Sequence, residues 1–204
     1  KQDFIILPGF QFGGMEHVGA TLYNDTQLFL DPNPTPDEEL RRIQLIAHET
    51  AHAWFGNLVT MDWFDDVWTK EVFANHYSAW ITEPLFPSVN HKLQRMRTFF
   101  ASALSEDRTP GTNAIHQELD NLRNAGLIYG QIIYNKAPVV MGKIIELMGE
   151  DAFREGIREY LRTYAYSNAT WDDLIRILDR HTPEDLIAFN DAWVNRKGMP
   201  IIRF

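Results

Sequence analysis

Two histidines four residues apart, with a glutamate between them, are the residues of this chain best suited to metal chemistry. His48-Glu49-Thr50-Ala51-His52 has the pattern His-Glu-x-x-His. On a helix, residues i and i+4 share one face, so His48 and His52 can bind one Zn²⁺ as neighbouring ligands. Glu49 follows His48 directly and is placed to act as a general base on a water at the metal, whose pKa zinc lowers towards ~7.

A catalytic zinc site of this kind needs a third protein ligand. In metzincins, a glycine and a third histidine stand where this chain has Phe55 and Leu58, so that class is excluded. Eighteen residues separate Glu71 from His52, and Glu71 is predicted to lie early in the next helix. A glutamate there is favoured by the helix dipole alone. With the upstream motif, we expect Glu71 instead to complete a His₂Glu set that leaves one position open.

The helices that must position these residues are predicted from local signals. Thr35 fits a helix N-cap, and Glu38 completes a capping box with it. Apolar residues then recur at helical spacing, so the helix is expected to continue to about Phe55. The second helix is predicted over about 70–83, before Pro84. A turn between the two helices would bring Glu71 back to the histidines.

The rest of the chain is predicted as a small sheet followed by a mostly helical body. Strands are expected near 4–7, 19–23 and 28–30, with Asn24-Asp25 as a turn. This gives an α+β domain over residues 1–204, with its sheet at about 4–31 and its helical part at about 35–204. Further helices are predicted at about 89–105, 118–132, 136–148 and 151–164, with helix starts at Thr170 and Thr182 and a loop over 108–117.

Composition excludes several classes of protein. The chain has 204 residues, 45% of them hydrophobic, and no cysteine, which excludes a disulfide scaffold. Its formal net charge of −9 disfavours nucleic acid as a partner. No apolar run reaches the ~18 residues of a membrane span. The cellular compartment stays open, and the start at Lys1 is typical of a processed chain or an excised fragment.

Four segments together resemble the aminopeptidase N (alanyl aminopeptidase) family of gluzincin zinc metallopeptidases, whose relatives include leukotriene A4 hydrolase. The segment from His48 to Asn57 is similar to the family's extended zinc signature, and the one from Leu58 to Trp68 to its lead into the third ligand. Gly13-Gly14-Met15-Glu16-His17 resembles its exopeptidase motif, Gly-x-Met-Glu-Asn. Tyr134-Asn135-Lys136-Ala137 resembles its Tyr-x-Lys-Gly element.

The resemblance implies a thermolysin-like zincin fold and a role for each matched residue. One Zn²⁺ per chain would be held by His48, His52 and Glu71, with Glu49 as the base. Tyr134 would donate a hydrogen bond to the oxyanion, and Glu16 would bind the free α-amino group of a peptide substrate. Two further roles are implied near Glu16: close approach of the backbone to the peptide at Gly13 and Gly14, and a side-chain pocket lined by Met15.

The chain also departs from the family pattern. His17 stands at the usual Asn, and Ala137 at a Gly. Lys70 and Val72 flank Glu71 in place of the usual Asn and Gly, which alters the cleft beside the metal. Family members usually carry an N-terminal β-domain and a long C-terminal helical domain, so we expect other domains of a longer parent chain as partners.

Two alternatives remain beside a zinc aminopeptidase acting on peptides with a free N-terminus. A thermolysin-like zinc endopeptidase would share the metal chemistry but lack an amine anchor, and Glu16 argues against it. A non-catalytic interaction module that retains the fold would be expected to have lost a ligand or the base, and the sequence retains both.

Overall fold

A three-stranded sheet forms the N-terminal part of the computed structural model, which describes residues 2–199 apart from the side chains of residues 127 and 128. Strand β1 (Asp3–Leu7) runs parallel to β3 (Ala20–Asn24). The short β2 (Gly14–Met15) pairs antiparallel with the other edge of β3, with Gly14 opposite Tyr23. The predicted strands near 4–7 and 19–23 are therefore confirmed.

The predicted strand at 28–30 is wrong, and the sheet ends at Asn24 rather than near residue 31. Residues Asp25–Leu28 form a single helical turn, α1. The Asn24 side chain accepts a hydrogen bond from the Thr26 N–H at 2.9 Å, which caps this turn. An asparagine that satisfies a free N–H favours helix initiation over the tight turn between strands that was expected.

Two helices of equal length, α2 (Pro36–Ala51) and α3 (Val67–Thr82), pack against each other and carry the residues of chemical interest. The predicted capping box is confirmed, because Thr35 and Glu38 exchange side-chain and backbone hydrogen bonds. Helix α2 ends at Ala51, earlier than the predicted Phe55. His52 is its C-cap and keeps helical backbone angles.

Helices continue through the second half of the chain, which confirms a helix-rich α+β architecture. A nearly continuous helical segment comprises α4 (His91–Arg95), a π-helical turn (Met96–Phe100) and α5 (Ala101–Asp107). After α6 (Ala125–Ile128) and a second π-helical turn (Ile132–Lys136), the remaining helices are α7 (Ala137–Met148), α8 (Glu150–Thr163), α9 (Trp171–Asp179) and α10 (Leu186–Asn190), followed by a π-helical turn (Asp191–Asn195).

The sequence prediction misplaced two of these regions. Before the second π-helical turn begins, residues 118–130 hold α6 and a 3₁₀ turn (Leu122–Asn124), which the Asn121 side chain caps. The helix start expected at Thr182 lies at Leu186, where the side chain of Asp185 accepts from the Ala188 N–H. Residues 200–204 of the predicted helical part lie outside the described residues.

A second, two-stranded sheet joins the segment between α2 and α3 to the segment between α8 and α9. Strand β4 (Val59–Met61) pairs in parallel with β5 (Ser167–Ala169). Beneath it lies one apolar core, in which the α3 residue Trp68 contacts the α9 residue Trp171 with ring centroids 4.3 Å apart. Within residues 2–199 we find no helix with the length and apolarity required to cross a bilayer.

Candidate active site

The predicted metal ligands meet where the C-terminal end of α2 faces α3. The Nε2 atoms of His48 and His52 are 3.2 Å apart. Glu71 Oε2 lies 3.4 Å from the first nitrogen and 3.9 Å from the second. All three ligand atoms therefore fall within 4.8 Å of one another. His52 and Glu71 are buried, and His48 is partly exposed to the adjoining cavity.

Both histidine rings are held by a hydrogen bond at the opposite nitrogen. His52 Nδ1 lies 3.0 Å from the carbonyl oxygen of Phe55, and His48 Nδ1 lies 3.0 Å from Asn75 Oδ1. Because these oxygens accept, the Nδ1 atoms carry the protons, and the Nε2 atoms present lone pairs. This arrangement is typical of histidines that bind a metal through Nε2.

Two lone pairs 3.2 Å apart repel each other unless a positive charge lies between them. Burial alone would lower the pKa of His48, but the protonated ring donates Nε2–H to Glu71, and this hydrogen bond and the charge of that carboxylate raise the pKa. Burial would raise the pKa of Glu71, but His48, Lys70 and His52 lower it to about 2. The site therefore attracts a cation, and its two imidazoles and one carboxylate fit Zn²⁺.

Glu49 is a buried carboxylate with one free oxygen beside this site. Its Oε2 has no hydrogen-bond partner. Burial raises the pKa of Glu49 to about 7, and the nearby carboxylates of Glu16 and Glu71 add to this effect against His48 and Lys70. A carboxylate with such a pKa can both take and return a proton near neutral pH.

Gly14, the first residue of β2, explains how this carboxylate is accommodated. A Cβ atom at Gly14 would lie 2.3 Å from Glu49 Oε1, and one at Gly13 would lie 2.9 Å from Gln27 Oε1. A side chain at Gly14 would therefore displace Glu49. The contact between β2 and α2 therefore requires a glycine at this position, independently of any role of Gly14 in peptide binding.

Tyr134 lies on the π-helical turn Ile132–Lys136, at the wall of the same cavity. Its ring stacks on that of Tyr129, with centroids 6.2 Å apart. Burial raises the pKa of Tyr134, and Glu71 raises it further, so the phenol keeps its proton as a hydrogen-bond donor. The buried Lys136 is 3.0 Å from Asp107 and anchors this turn to the end of α5.

Glu16 extends from the end of β2 into the cavity and forms an ion pair with Lys70 on α3. The Asn57 side chain donates to the Glu16 carbonyl oxygen at 2.9 Å, which fixes the backbone at this point. Burial alone would raise the pKa of Glu16, but His52 and Lys70 lower it, so the carboxylate is ionised.

All the predicted site residues line one cavity of about 790 Å³. It brings together the sequence-predicted set, namely Gly13, Gly14, Met15, Glu16, His48, Glu49, His52, Glu71 and Tyr134. Sequence reasoning missed Asn75, which holds His48, although its spacing of four from Glu71 puts both on one face of α3. Tyr129 also lines this cavity, and it packs against the apolar core as well.

Two histidines and a glutamate that converge beside a buried carboxylate form the residue set of a metallopeptidase. The sequence matches the Peptidase family M1 domain over residues 1–193. The chain therefore belongs to peptidase family M1, which confirms the resemblance of its four motifs.

Curated relatives agree with this assignment. The chain is 32% identical over 203 residues to a leucyl aminopeptidase of Saccharolobus solfataricus, covering 100% of this chain and 26% of that protein. It is 33% identical over 204 residues to a puromycin-sensitive aminopeptidase of Caenorhabditis elegans, covering 100% of this chain and 22% of the relative. It is 32% identical over 205 residues to an aminopeptidase N of Lactococcus lactis, covering 97% of this chain and 24% of the relative. The chain thus spans about a quarter of the length of these relatives.

Proposed function

We propose that this chain is the catalytic domain, over residues 1–204, of a zinc aminopeptidase that removes residues from the free N-terminus of peptides. One observation carries the proposal. Three ligand atoms converge within 4.8 Å of one another, beside a buried carboxylate with a free oxygen, in a cavity large enough for several residues of a peptide. The proposal includes a thermolysin-like zincin fold and other domains in a longer parent chain.

His48, His52 and Glu71 would hold one Zn²⁺ per chain. When bound, zinc supplies Lewis-acid activation of a water and of the substrate carbonyl. Asn75 and the Phe55 carbonyl would leave the Nε2 atoms of the two rings free for the ion, because each fixes a proton on Nδ1.

Glu49 would take the proton of the attacking water and return it to the leaving amine. The support is its free Oε2 and its pKa of about 7, which suits both transfers at neutral pH. Tyr134 would donate its phenolic proton in a hydrogen bond to the oxygen of the scissile carbonyl as charge develops there. Such a preorganised donor is worth about 10²–10³ in rate in comparable sites.

Glu16 would anchor the substrate's α-ammonium at one end of the cavity, so that the bond cut is the first one. Gly13 and Gly14 would let the peptide backbone pass close to β2, and Met15 would line the pocket for the first side chain. The support for this role is a partly buried carboxylate on the same cavity as the candidate metal ligands.

A mass-spectrometric digest of one peptide, in free and N-acetylated forms, tests the proposal. With zinc supplied, we expect stepwise loss of residues from the N-terminus of the free peptide, and a chelator should abolish it. Internal cuts in both forms would instead support a zinc endopeptidase. Absence of any cleavage by a chain that binds zinc would support an interaction module that has retained the fold.

A further inference from the structure

The carboxylate proposed as the amine anchor already holds an ammonium that belongs to the protein. The Nζ of Lys70 forms an ion pair and hydrogen bond with Glu16 Oε1. The same nitrogen lies 3.2 Å from Glu71 Oε1. Lys70 thus bridges the candidate amine anchor and a candidate metal ligand.

This ion pair is built into the fold and is not a loose surface contact. The side chains of Lys70 and Glu16 are only 17% and 14% exposed. The stem of Lys70 passes Gly56, where a Cβ atom would lie 3.3 Å from Lys70 Cδ. Asn57 fixes the backbone of Glu16 from the other side.

Lys70 also differs in charge from the acidic side chains around it. Among the described residues that line the cavity, it is the single lysine or arginine, against the carboxylates of Glu16, Glu49 and Glu71. A substrate α-ammonium that enters this cavity must displace Lys70 from Glu16, or share the carboxylate with it against like-charge repulsion. Either route weakens its binding.

A peptide with a blocked, neutral N-terminus avoids this competition. Without Lys70, such a peptide would bury the Glu16 carboxylate with no counter-charge, which is costly. With Lys70 present, Glu16 stays paired when a neutral group lies beside it.

We infer that Lys70 is a specificity-determining residue that occupies the amine subsite and lowers the preference of this chain for free over blocked peptide N-termini. The inference rests on the proposed function and deepens it. The substrate class stays peptides with a free N-terminus, and Lys70 reduces the advantage of these peptides over blocked ones.

The test compares kcat and KM for alanine tripeptide amide, free and N-acetylated, in wild type and in Lys70→Asn. In the variant, the ratio of kcat/KM for free to acetylated peptide should rise by at least about tenfold, the effect of one charge-assisted hydrogen bond, through a lower KM for the free form. Lys70→Gln should behave in the same way. Lys70→Arg keeps the charge, so its ratio for free to acetylated peptide should stay close to the wild-type ratio. Lys143→Asn, which alters an exposed lysine, should leave the ratio unchanged as well.

An unchanged or lower ratio in Lys70→Asn, with the protein folded, would overturn the inference. A binding measurement separates this failure from failure of the proposed function. Calorimetric titration of the same two peptides into the Glu49→Gln variant, with and without Lys70→Asn, needs no turnover. Tighter binding of the free peptide by at least about tenfold in the double variant would support Lys70 as the occupant even if no cleavage is found. Equal binding would reject it.

Discussion

The helix pair α2/α3 and the helix pair α8/α9 are built from the same kind of element but bury different groups. The residues buried at the α2/α3 pair include the polar side chains of Glu49, His52 and Glu71. The faces buried between α8 and α9 are instead apolar or aromatic, as at Ile157 and Leu178. The charged residues of α8 stay on its exposed face in i,i+3 pairs, as with Arg158 and Glu155.

In both regions a glycine allows a side chain of a neighbouring element to pack closely against the backbone, but the two side chains differ in chemistry. Gly14 makes room for the Glu49 carboxylate, because a Cβ there would lie 2.3 Å from Oε1. Gly156 on α8 makes room for a leucine, because its Cβ would lie 2.7 Å from Leu178 Cδ2. The first contact places a buried charge that costs stability, and the second completes apolar packing that contributes stability. The contact between α8 and α9 thus stabilises the chain, while α2 and α3 carry the residues of the proposed chemistry.

The largest effect expected is on activity, from Glu49→Gln. Loss of the base should lower kcat by about 10²–10⁴-fold while zinc binding is kept. Thermal stability should not fall, because the change removes a buried charge whose Oε2 has no partner. Kinetics, metal content and thermal unfolding, measured on one preparation, check the expected kcat, zinc binding and thermal stability. Glu155→Gln, on the exposed face of α8, is the matched control and should change none of them; substantial activity in Glu49→Gln would contradict the assignment.

The opposite result is expected from Leu178→Ala in the second pair. Leu178 is fully buried, so the cavity left by the change should lower the free energy of unfolding by about 2–5 kcal/mol. Well below the unfolding midpoint, kcat should stay at the wild-type value. Denaturant unfolding and kinetics measure the two, with the exposed Leu122→Ala as control. A fall in kcat of the folded protein would mean that the two regions are coupled.

A smaller loss of unfolding free energy, equal in the two regions, is expected when either capping box is removed. Thr35 caps α2, and Thr170 caps α9 through the same pair of hydrogen bonds. Either change to alanine should cost about 1 kcal/mol of unfolding free energy. Replacement by serine, which retains the hydroxyl, should restore most of it. A much larger loss for Thr35→Ala would show that α2 has little stability to spare.

The smallest effect concerns Asp66, which joins the two regions. Asp66 precedes α3, accepts from the Trp171 N–H of α9 at 3.0 Å, and lies 3.2 Å from His116 Nδ1. The hydrogen bond to Asp66 raises the pKa of His116 against the effect of burial.

A raised histidine pKa stabilises the fold fully below the unfolded value of about 6.5, and this stabilisation is lost as pH rises through the folded value. At pH 5.5, the free energy of unfolding of wild type should therefore be higher than that of His116→Gln by up to about 1 kcal/mol. This difference should decrease as pH rises. Denaturant titrations across this pH range measure the difference. In an Asp66→Asn background, the pH dependence should shrink, because only the weaker charge effects of Asp65 and Asp172 then raise the pKa of His116; a difference that grows with pH would contradict the account.

Local signals predicted much of this architecture, and non-local contacts were the part they missed. The box at Thr35, the His-Glu-x-x-His spacing and Glu71 are visible because each depends on residues close in sequence. The pairing of Val59–Met61 with Ser167–Ala169 has no such signal, since three-residue strands carry little periodicity. Lys70 departs from the family pattern in the sequence alone, but its ion pair with Glu16 depends on the tertiary contact that brings β2 and α3 together.

Zinc binding measured alongside thermal unfolding tests the central claim, that α2/α3 is built around a metal and α8/α9 is not. Wild type should bind one zinc per chain, and zinc at about 100 times its dissociation constant should add about 2.7 kcal/mol of stability. His52→Ala should lose both effects. His181→Ala, which alters the histidine paired with Glu159 of α8, should keep both. Equal zinc binding by wild type and His52→Ala, or no stabilisation of either, would contradict the account.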